Sequence, residues 1–328
     1  MNIYENFPLK DILYYKIGGN AKLVLSIENK EDLIKSLDFV SKNNVQKILP
    51  IGLGSNLLIP DEFFEGAILW FKKPQKSSIS KSSESTVEAF SGDLLDDVIQ
   101  FSFENNLIGL EWAGGLPSTV GGAIRGNVGA FGEEIKDVVN AVQIITLPAL
   151  RRGKLDGKYE IKKLTREELK FEYRDSIIKR DKNLVVISVE FNLQHGTDEE
   201  IGKAKEIYKS RIEYRQKNHP MEYPSCGSVF KNITSSEEVQ EIINKWSDIK
   251  ELSEQKWHGK IAMGYIINRL GFSGKQIGGA KVSEKHANYI VNVNDAKFSD
   301  VFSLINQIKE KFSNEFGFSP ELELEVVN

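Results

Sequence analysis

The chain has 328 residues, 40% of them hydrophobic and 27% charged, with 26 glycines and 9 prolines that follow no fixed period. That composition excludes a disordered chain and a collagen-like or low-complexity fibre. Against 43 basic residues stand 47 acidic ones, a net charge of −4 with both signs interspersed, which disfavours a nucleic-acid partner but leaves room for a local basic pocket holding a small anion.

At roughly 150 residues per domain the length predicts about two domains. The single cysteine, Cys226, excludes an internal disulfide and a cysteine-rich metal site, and suits a reducing cytosol. Met1 to Lys10 lacks the basic and apolar regions of a signal peptide, and no apolar run approaches the ~20 residues of a membrane span. A cytoplasmic protein is therefore expected, with no membrane insertion and no obligatory protein partner. The four histidines (His195, His219, His258, His286) show no ligand spacing, so no metal is expected.

In chain order, Ala21 to Ile27 reads as a strand and Glu31 to Lys42 as a helix, with Leu33, Ile34, Leu37 and Val40 on one face. Lys47–Ile51 and Ala67–Phe71 read as further strands, and Pro74 to Ser85 as a polar loop. A strand near Thr86–Ser91 precedes a helix over Leu94–Asn105. Gly114 to Gly132 then holds seven of the 26 glycines in nineteen residues, which predicts a loop. Strands return at Val138–Leu147 and Leu184–Leu193, with Arg151–Lys158 as a solvated hairpin tip between them. A charged helix over Glu199–Lys217 follows. Ser235 with Glu238 reads as a capping box opening a helix to Trp246. Ala262–Leu270 reads as a helix ended by Gly271, Asn288–Val293 as a strand, and Phe298–Phe316 as an amphipathic helix closed by Gly317. The end alternates strictly, with Glu321, Glu323 and Glu325 against Leu322, Leu324 and Val326. The class is α+β or mixed α/β, with a break near residues 210–225.

Two glycine segments carry the first chemical signal. Leu49 to Ile59 places Gly52-x-Gly54-Ser55-Asn56-Leu57 between apolar runs, where backbone N–H groups can approach an anion. A Rossmann fingerprint needs glycine at position 57 and a helix beyond it; leucine stands there and Pro60 follows, so that reading fails, as does a P-loop. A plain β-turn remains the alternative. The second segment, Gly115-Leu116-Pro117-Ser118-Thr119-Val120-Gly121-Gly122, is longer than a connection needs, and two separated glycine loops suit a large dinucleotide. Elsewhere, Arg174 in Tyr173-Arg174-Asp175-Ser176 reads by itself as a solvated surface cation. Cys226 has no histidine placed in sequence to activate it, and His286 reads as structural.

Together these pieces resemble one family. Lys16-Ile17-Gly18-Gly19, the Gly52 and Gly115 segments, Tyr173-Arg174-Asp175-Ser176, Cys226-Gly227-Ser228-Val229-Phe230-Lys231-Asn232, Ile277 to Asn288, and Leu322-Glu323-Leu324-Glu325-Val326 occur in the order seen in the MurB family. These are the UDP-N-acetylenolpyruvoylglucosamine reductases, or UDP-N-acetylmuramate dehydrogenases, and the chain is similar to the loop-less type II members. Ser118 departs from the common glycine of its motif, as does Ile233 from the proline that often follows Lys-Asn.

The resemblance implies a two-subdomain FAD-binding fold of the vanillyl-alcohol-oxidase (PCMH) type over 1–74 and 75–212. A separate α+β substrate-binding domain over 213–328 would carry Glu325. It implies FAD as cofactor, contacted by Gly52, Gly54, Ser55, Asn56, Leu57, Gly115, Pro117, Ser118, Thr119, Gly121 and Gly122. It implies NADPH as hydride donor, and a UDP-sugar substrate whose diphosphate meets Lys231 and Asn232. Hydride would pass from NADPH to FAD to C3 of the enolpyruvyl group, in the peptidoglycan pathway. Arg174, Ser228 and Glu325 match the catalytic set: Arg174 neutralises charge, and Ser228 protonates C2. Glu325 donates a hydrogen bond in its protonated form, which requires burial. A different flavoprotein oxidoreductase of the same fold and a catalytically dead nucleotide-sugar binder are the competing readings.

Overall fold

In a computed structural model of the chain the described residues are 1–147, 150–151, 154–155 and 159–327. The chain opens with β1 (Ile3–Pro8), β2 (Asn20–Ile27), α1 (Lys30–Lys42), β3 (Ile48–Ile51), β4 (Leu57–Leu58), β5 (Phe64–Phe71), β6 (Ser80–Lys81) and β7 (Thr86–Phe90). Next come α2 (Leu95–Glu104), β8 (Leu107–Ile108), α3 (Val120–Arg125), β9 (Gly129–Ala130), β10 (Glu133–Glu134) and β11 (Val139–Thr146). They are followed by β12 (Leu150–Arg151), β13 (Lys154–Leu155), β14 (Glu160–Thr165), α4 (Ile177–Arg180), β15 (Leu184–Asn192), β16 (Gln194–His195) and α5 (Asp198–Asn218). The rest is β17 (Ser225–Ser228), α6 (Ser236–Lys245), α7 (Lys250–Gln255), α8 (Met263–Arg269), β18 (Gln276–Ile277), β19 (Ala280–Val282), β20 (Tyr289–Asn292), α9 (Phe298–Phe316) and β21 (Glu325–Val326).

Two compact units result. The first comprises Met1–Phe7, Asn20–Leu53 and Phe63–Lys217. It holds a four-stranded sheet, β1-β2-β5-β3, in which β2 and β3 run parallel to β5. Its second sheet, β14-β11-β15-β7-β6, is antiparallel throughout. Leu33 and Leu37 of α1 bury against Leu25, Leu69, Ile145 and Ile187, so one face of the second sheet shares a core with α1, β2 and β5. The other face is covered by α2 and α3, with Val98, Trp112, Val142, Val186, Val189 and Phe191 packed together. A bulge where Gln143 faces Ser188 and Ile144 faces Val186 switches the parity of β15. Val186 and Val189 thereby reach the same face, as an inserted residue dictates.

The second unit draws Pro8–Gly19 and Gly54–Glu62 to the chain from Asn218 onward. The sequence reading put both short segments in the first FAD subdomain and began the substrate domain at 213. Here the sheet order is β17-β20-β19-β18, all antiparallel. Ile266, Leu304 and Phe312 form its core with Phe230, joined by Tyr15, Ile17 and Leu58 from the two early segments. The Tyr15 hydroxyl donates to the Ile290 carbonyl at 2.8 Å, which satisfies its polar atom inside that core.

Several sequence expectations need correction. The glycine segment 114–132 is not all loop: it contains α3, capped by Thr119, whose Oγ1 accepts from the Gly122 N–H at 3.3 Å. Tertiary contact overrides poor helix propensity there. Ser235 stands at the cap position of α6, but its side chain makes no capping hydrogen bond. Of the alternating terminal run only β21 pairs as a strand, parallel to β4 with Glu325 opposite Leu57. The hairpin insert is seen in the β12–β13 pair; residues 152–153 and 156–158 lie outside the described residues. No helix among the described residues is long and apolar enough to cross a membrane.

Candidate active site

In the first unit Gly52 meets the second glycine segment. A Cβ on Gly52 would collide with the Thr119 side chain, and one on Gly121 with the Ser91 hydroxyl. Gly121 and Val120 donate their N–H groups to the carbonyls of Ser91 and Asp93, at 2.9 and 2.8 Å. Ser118 turns its hydroxyl onto the Thr119 carbonyl at 2.9 Å, and its own carbonyl accepts from Leu95. Gly115 has a φ of +74°, a conformation that glycine alone adopts freely, and a Cβ there would press on Arg215 Cδ at 3.2 Å. Pro117 is half-buried, and Gly122 is exposed on the first turn of α3. Gly52 and Gly121 thus permit close packing within the protein, while Gly122 leaves backbone open to solvent, where an N–H-rich turn can meet an anion.

Arg174 belongs to this unit and is neither solvated nor loose. It is half-buried, and its Nη2 donates to the Gly129 carbonyl at 2.6 Å. The turn that carries it is tied down from three sides. Glu172 and Asp175 exchange backbone hydrogen bonds at 3.0 and 3.1 Å. The Asn127 amide donates to the Glu172 carbonyl at 2.8 Å, and the buried Ser176 hydroxyl to the Arg125 carbonyl at 2.7 Å.

The second unit holds the other candidates. Gly54 takes a φ of +64° with no room for a Cβ beside Leu13. Ser55 is half-buried, and Asn56 donates to the Glu323 carbonyl at 3.1 Å while accepting from the Glu325 N–H at 2.9 Å. Leu57 pairs with Glu325, and its carbonyl accepts from the Cys226 thiol at 2.9 Å. Burial pushes that thiol well above its usual range, which disfavours the thiolate that a nucleophilic cysteine needs. Ser228 closes β17 opposite Tyr289, after an irregularity between Ser225 and Ser228 that contains Gly227 with its φ of +73°. Just beyond it the Val229 carbonyl accepts from Glu323 at 2.9 Å. Backbone bonding therefore brings the stretches bearing Ser228 and Glu325 side by side. Both residues are half-buried.

Lys231 Nζ lies 3.0 Å from Glu321 Oε2. Asn232 Oδ1 accepts from the Met263 N–H at 3.0 Å, docking this loop on the start of α8. Sequence reasoning gave no part to Asn288. It is buried and grips Phe230 twice, its Oδ1 accepting from the N–H at 3.0 Å and its amide donating to the carbonyl at 2.8 Å. Ser91 and Asn127 were missed likewise; the only trace in sequence is a small polar residue between apolar runs. His219 Nδ1 lies 3.2 Å from the Tyr289 hydroxyl, with His286 packed on both rings. Among the described residues no three His, Cys, Asp or Glu side chains are grouped to hold a metal ion.

Comparison with known proteins agrees with this architecture. A model of the FAD binding domain matches residues 21–149, a range that contains every cofactor candidate named above. A model of the UDP-N-acetylenolpyruvoylglucosamine reductase C-terminal domain matches residues 219–327, which contain Ser228, Lys231, Asn232 and Glu325. The chain is 33% identical to the UDP-N-acetylenolpyruvoylglucosamine reductase of Caldicellulosiruptor saccharolyticus, over 98% of this chain and 90% of that protein. It is 37% identical to the reductase of Carboxydothermus hydrogenoformans, over 99% and 94%. The crystal structure of the reductase (MurB) from Thermus caldophilus matches with a TM-score of 0.70 at 25% identity, covering 100% of this chain and 98% of that one. The class so defined is a flavoprotein oxidoreductase, with an FAD-binding domain and a C-terminal α+β unit. The chain belongs to the UDP-N-acetylenolpyruvoylglucosamine reductase (MurB) family.

Proposed function

We propose that this protein reduces UDP-N-acetylglucosamine enolpyruvate to UDP-N-acetylmuramate, with NADPH as donor, in the cytoplasmic supply of peptidoglycan precursors. The observation that carries this is the match of residues 219–327 to the reductase C-terminal domain, a range that contains Ser228, Lys231, Asn232 and Glu325. The glycine-segment residues are assigned to FAD, which when bound would supply the two-electron relay from NADPH to C3 of the enolpyruvyl group.

Hydride arrival at C3 leaves negative charge at C2 that spreads into an already ionised carboxylate, so electrostatic help is the main requirement. Arg174, a permanent cation held on Gly129, is assigned that neutralising role. Glu325 is assigned to the same carboxylate. Ser228 is assigned as the acid whose hydroxyl proton goes to C2. Lys231 and Asn232 are assigned to the diphosphate, and the family's division into two FAD subdomains and a substrate domain is part of the same reading.

The test is Ser228→Ala under rapid mixing. NADPH oxidation should persist while C2 protonation slows by on the order of 10²–10⁴-fold. Protonation at the wild-type rate removes Ser228 from the role, and NADPH turnover independent of the enolpyruvyl sugar nucleotide removes the substrate assignment.

A further inference from the structure

The Lys231 ammonium is already matched with an anion. Its partner is Glu321, at 3.0 Å, and backbone fixes the two residues in register. The Lys231 N–H donates to the Glu321 carbonyl at 2.9 Å, and Phe230 bridges Leu322. The pair is asymmetric: the lysine side chain is 23% exposed and the glutamate 76%. The cation is thus held by its surroundings, whereas the carboxylate faces water and can swing away at small cost. Glu238 of α6 adds negative charge; its carboxyl is pushed up by burial and, next, by Glu321 nearby. An anion that takes this position on Lys231 competes with Glu321 for it. A diphosphate, with two charges and several acceptor oxygens, is the kind of ligand that can do so.

We propose that Glu321 is the counter-ion that the substrate diphosphate displaces from Lys231, so that this exposed carboxylate sets the affinity for the nucleotide sugar from outside the chemistry. The inference rests on the assignment of Lys231 to the diphosphate. It is tested by calorimetric titration of the FAD-loaded enzyme with UDP-N-acetylmuramate. Glu321→Gln should lower Kd about two- to five-fold, the range of an exposed ion pair. The gain should shrink in ~0.5 M salt, where the Debye length falls to a few ångströms.

Glu254→Gln, which removes the same charge from an exposed position on α7, should leave Kd unchanged. Lys231→Met should raise Kd at least tenfold. A Glu321→Gln enzyme that binds no tighter, or a Glu254→Gln enzyme that tightens equally, overturns the proposal while leaving Lys231 in place. A Lys231→Met enzyme with wild-type affinity overturns the Lys231 assignment and the counter-ion with it.

Discussion

Arg174 has a φ of +56°, a left-handed backbone that a non-glycine residue adopts only when its surroundings compel it. The compulsion comes from Asn127, Ser176 and the Gly129 carbonyl, which together convert what composition reads as a surface cation into a directed one. None of this is legible from Tyr173-Arg174-Asp175-Ser176, because the bonds that set it come from residues some 45 positions earlier. Only the family motif marked the residue. His286 shows the opposite case: expected as a hydrogen-bonded structural histidine, it packs against His219 and Tyr289, but its buried Nδ1 has no hydrogen-bond partner among the described residues.

Burial holds the His286 imidazole below its ordinary pKa, favouring the neutral ring in the folded state. Its contribution is whole above the unfolded value of about 6.5. As pH falls below that value, the unfolded chain takes up a proton that the folded chain resists, so stability is lost down to the folded pKa. The His286→Gln enzyme should therefore lose less melting temperature between pH 7.5 and pH 5.5 than the wild type. Equal losses would show that His286 is not the group titrating.

At the scale of elements, legibility followed periodicity. Helices α1 and α9 were readable because their apolar residues recur on one face and each end carries a signal. Asn29 accepts from the Asp32 N–H at 2.8 Å at the start of α1, and Gly317 closes α9 with a φ of +88°. Short helix α3 was not readable. Its Gly121 lets backbone pass close to Ser91, and a propensity argument sees only flexibility. Strand β21 was overextended for the reverse reason: alternation persists over six residues, but only two find a partner strand.

The packing of α3 makes a definite prediction. Gly121→Ala forces a methyl into Ser91 and should cost about 1–3 kcal/mol by overpacking. It should also reduce the flavin retained through purification, read as visible absorbance per chain together with the melting temperature. A variant with full flavin and unchanged melting would mean that the close approach is not needed.

For the molecule as a whole, the consequential fact is that neither unit is a continuous stretch of chain. Sequence periodicity assigns residues to elements, yet it has no means of telling that residues 8–19 and 54–62 serve a core whose other members lie beyond 218. Tyr15, Ile17 and Leu58 are each at most 2% exposed within that core. A fragment of residues 213–328, the substrate domain as the sequence delimits it, lacks all three. We expect it to be poorly folded, with weak near-ultraviolet dichroism and strong dye binding, and to recover on co-expression with residues 1–212. A fragment that is compact and cooperative by itself would show that these early segments are dispensable.

Pairing Asn56 with Glu323 joins residues 267 positions apart, and the parallel β4–β21 contact sits beside it. During translation the Leu57–Leu58 strand leaves the ribosome with its partner still unmade. At about 5–20 residues per second the wait is on the order of ten to fifty seconds. For that interval Leu58 and Tyr15 are apolar groups without a home. The nascent polypeptide must be shielded, or tolerate the exposure, until residues 323–326 have been made.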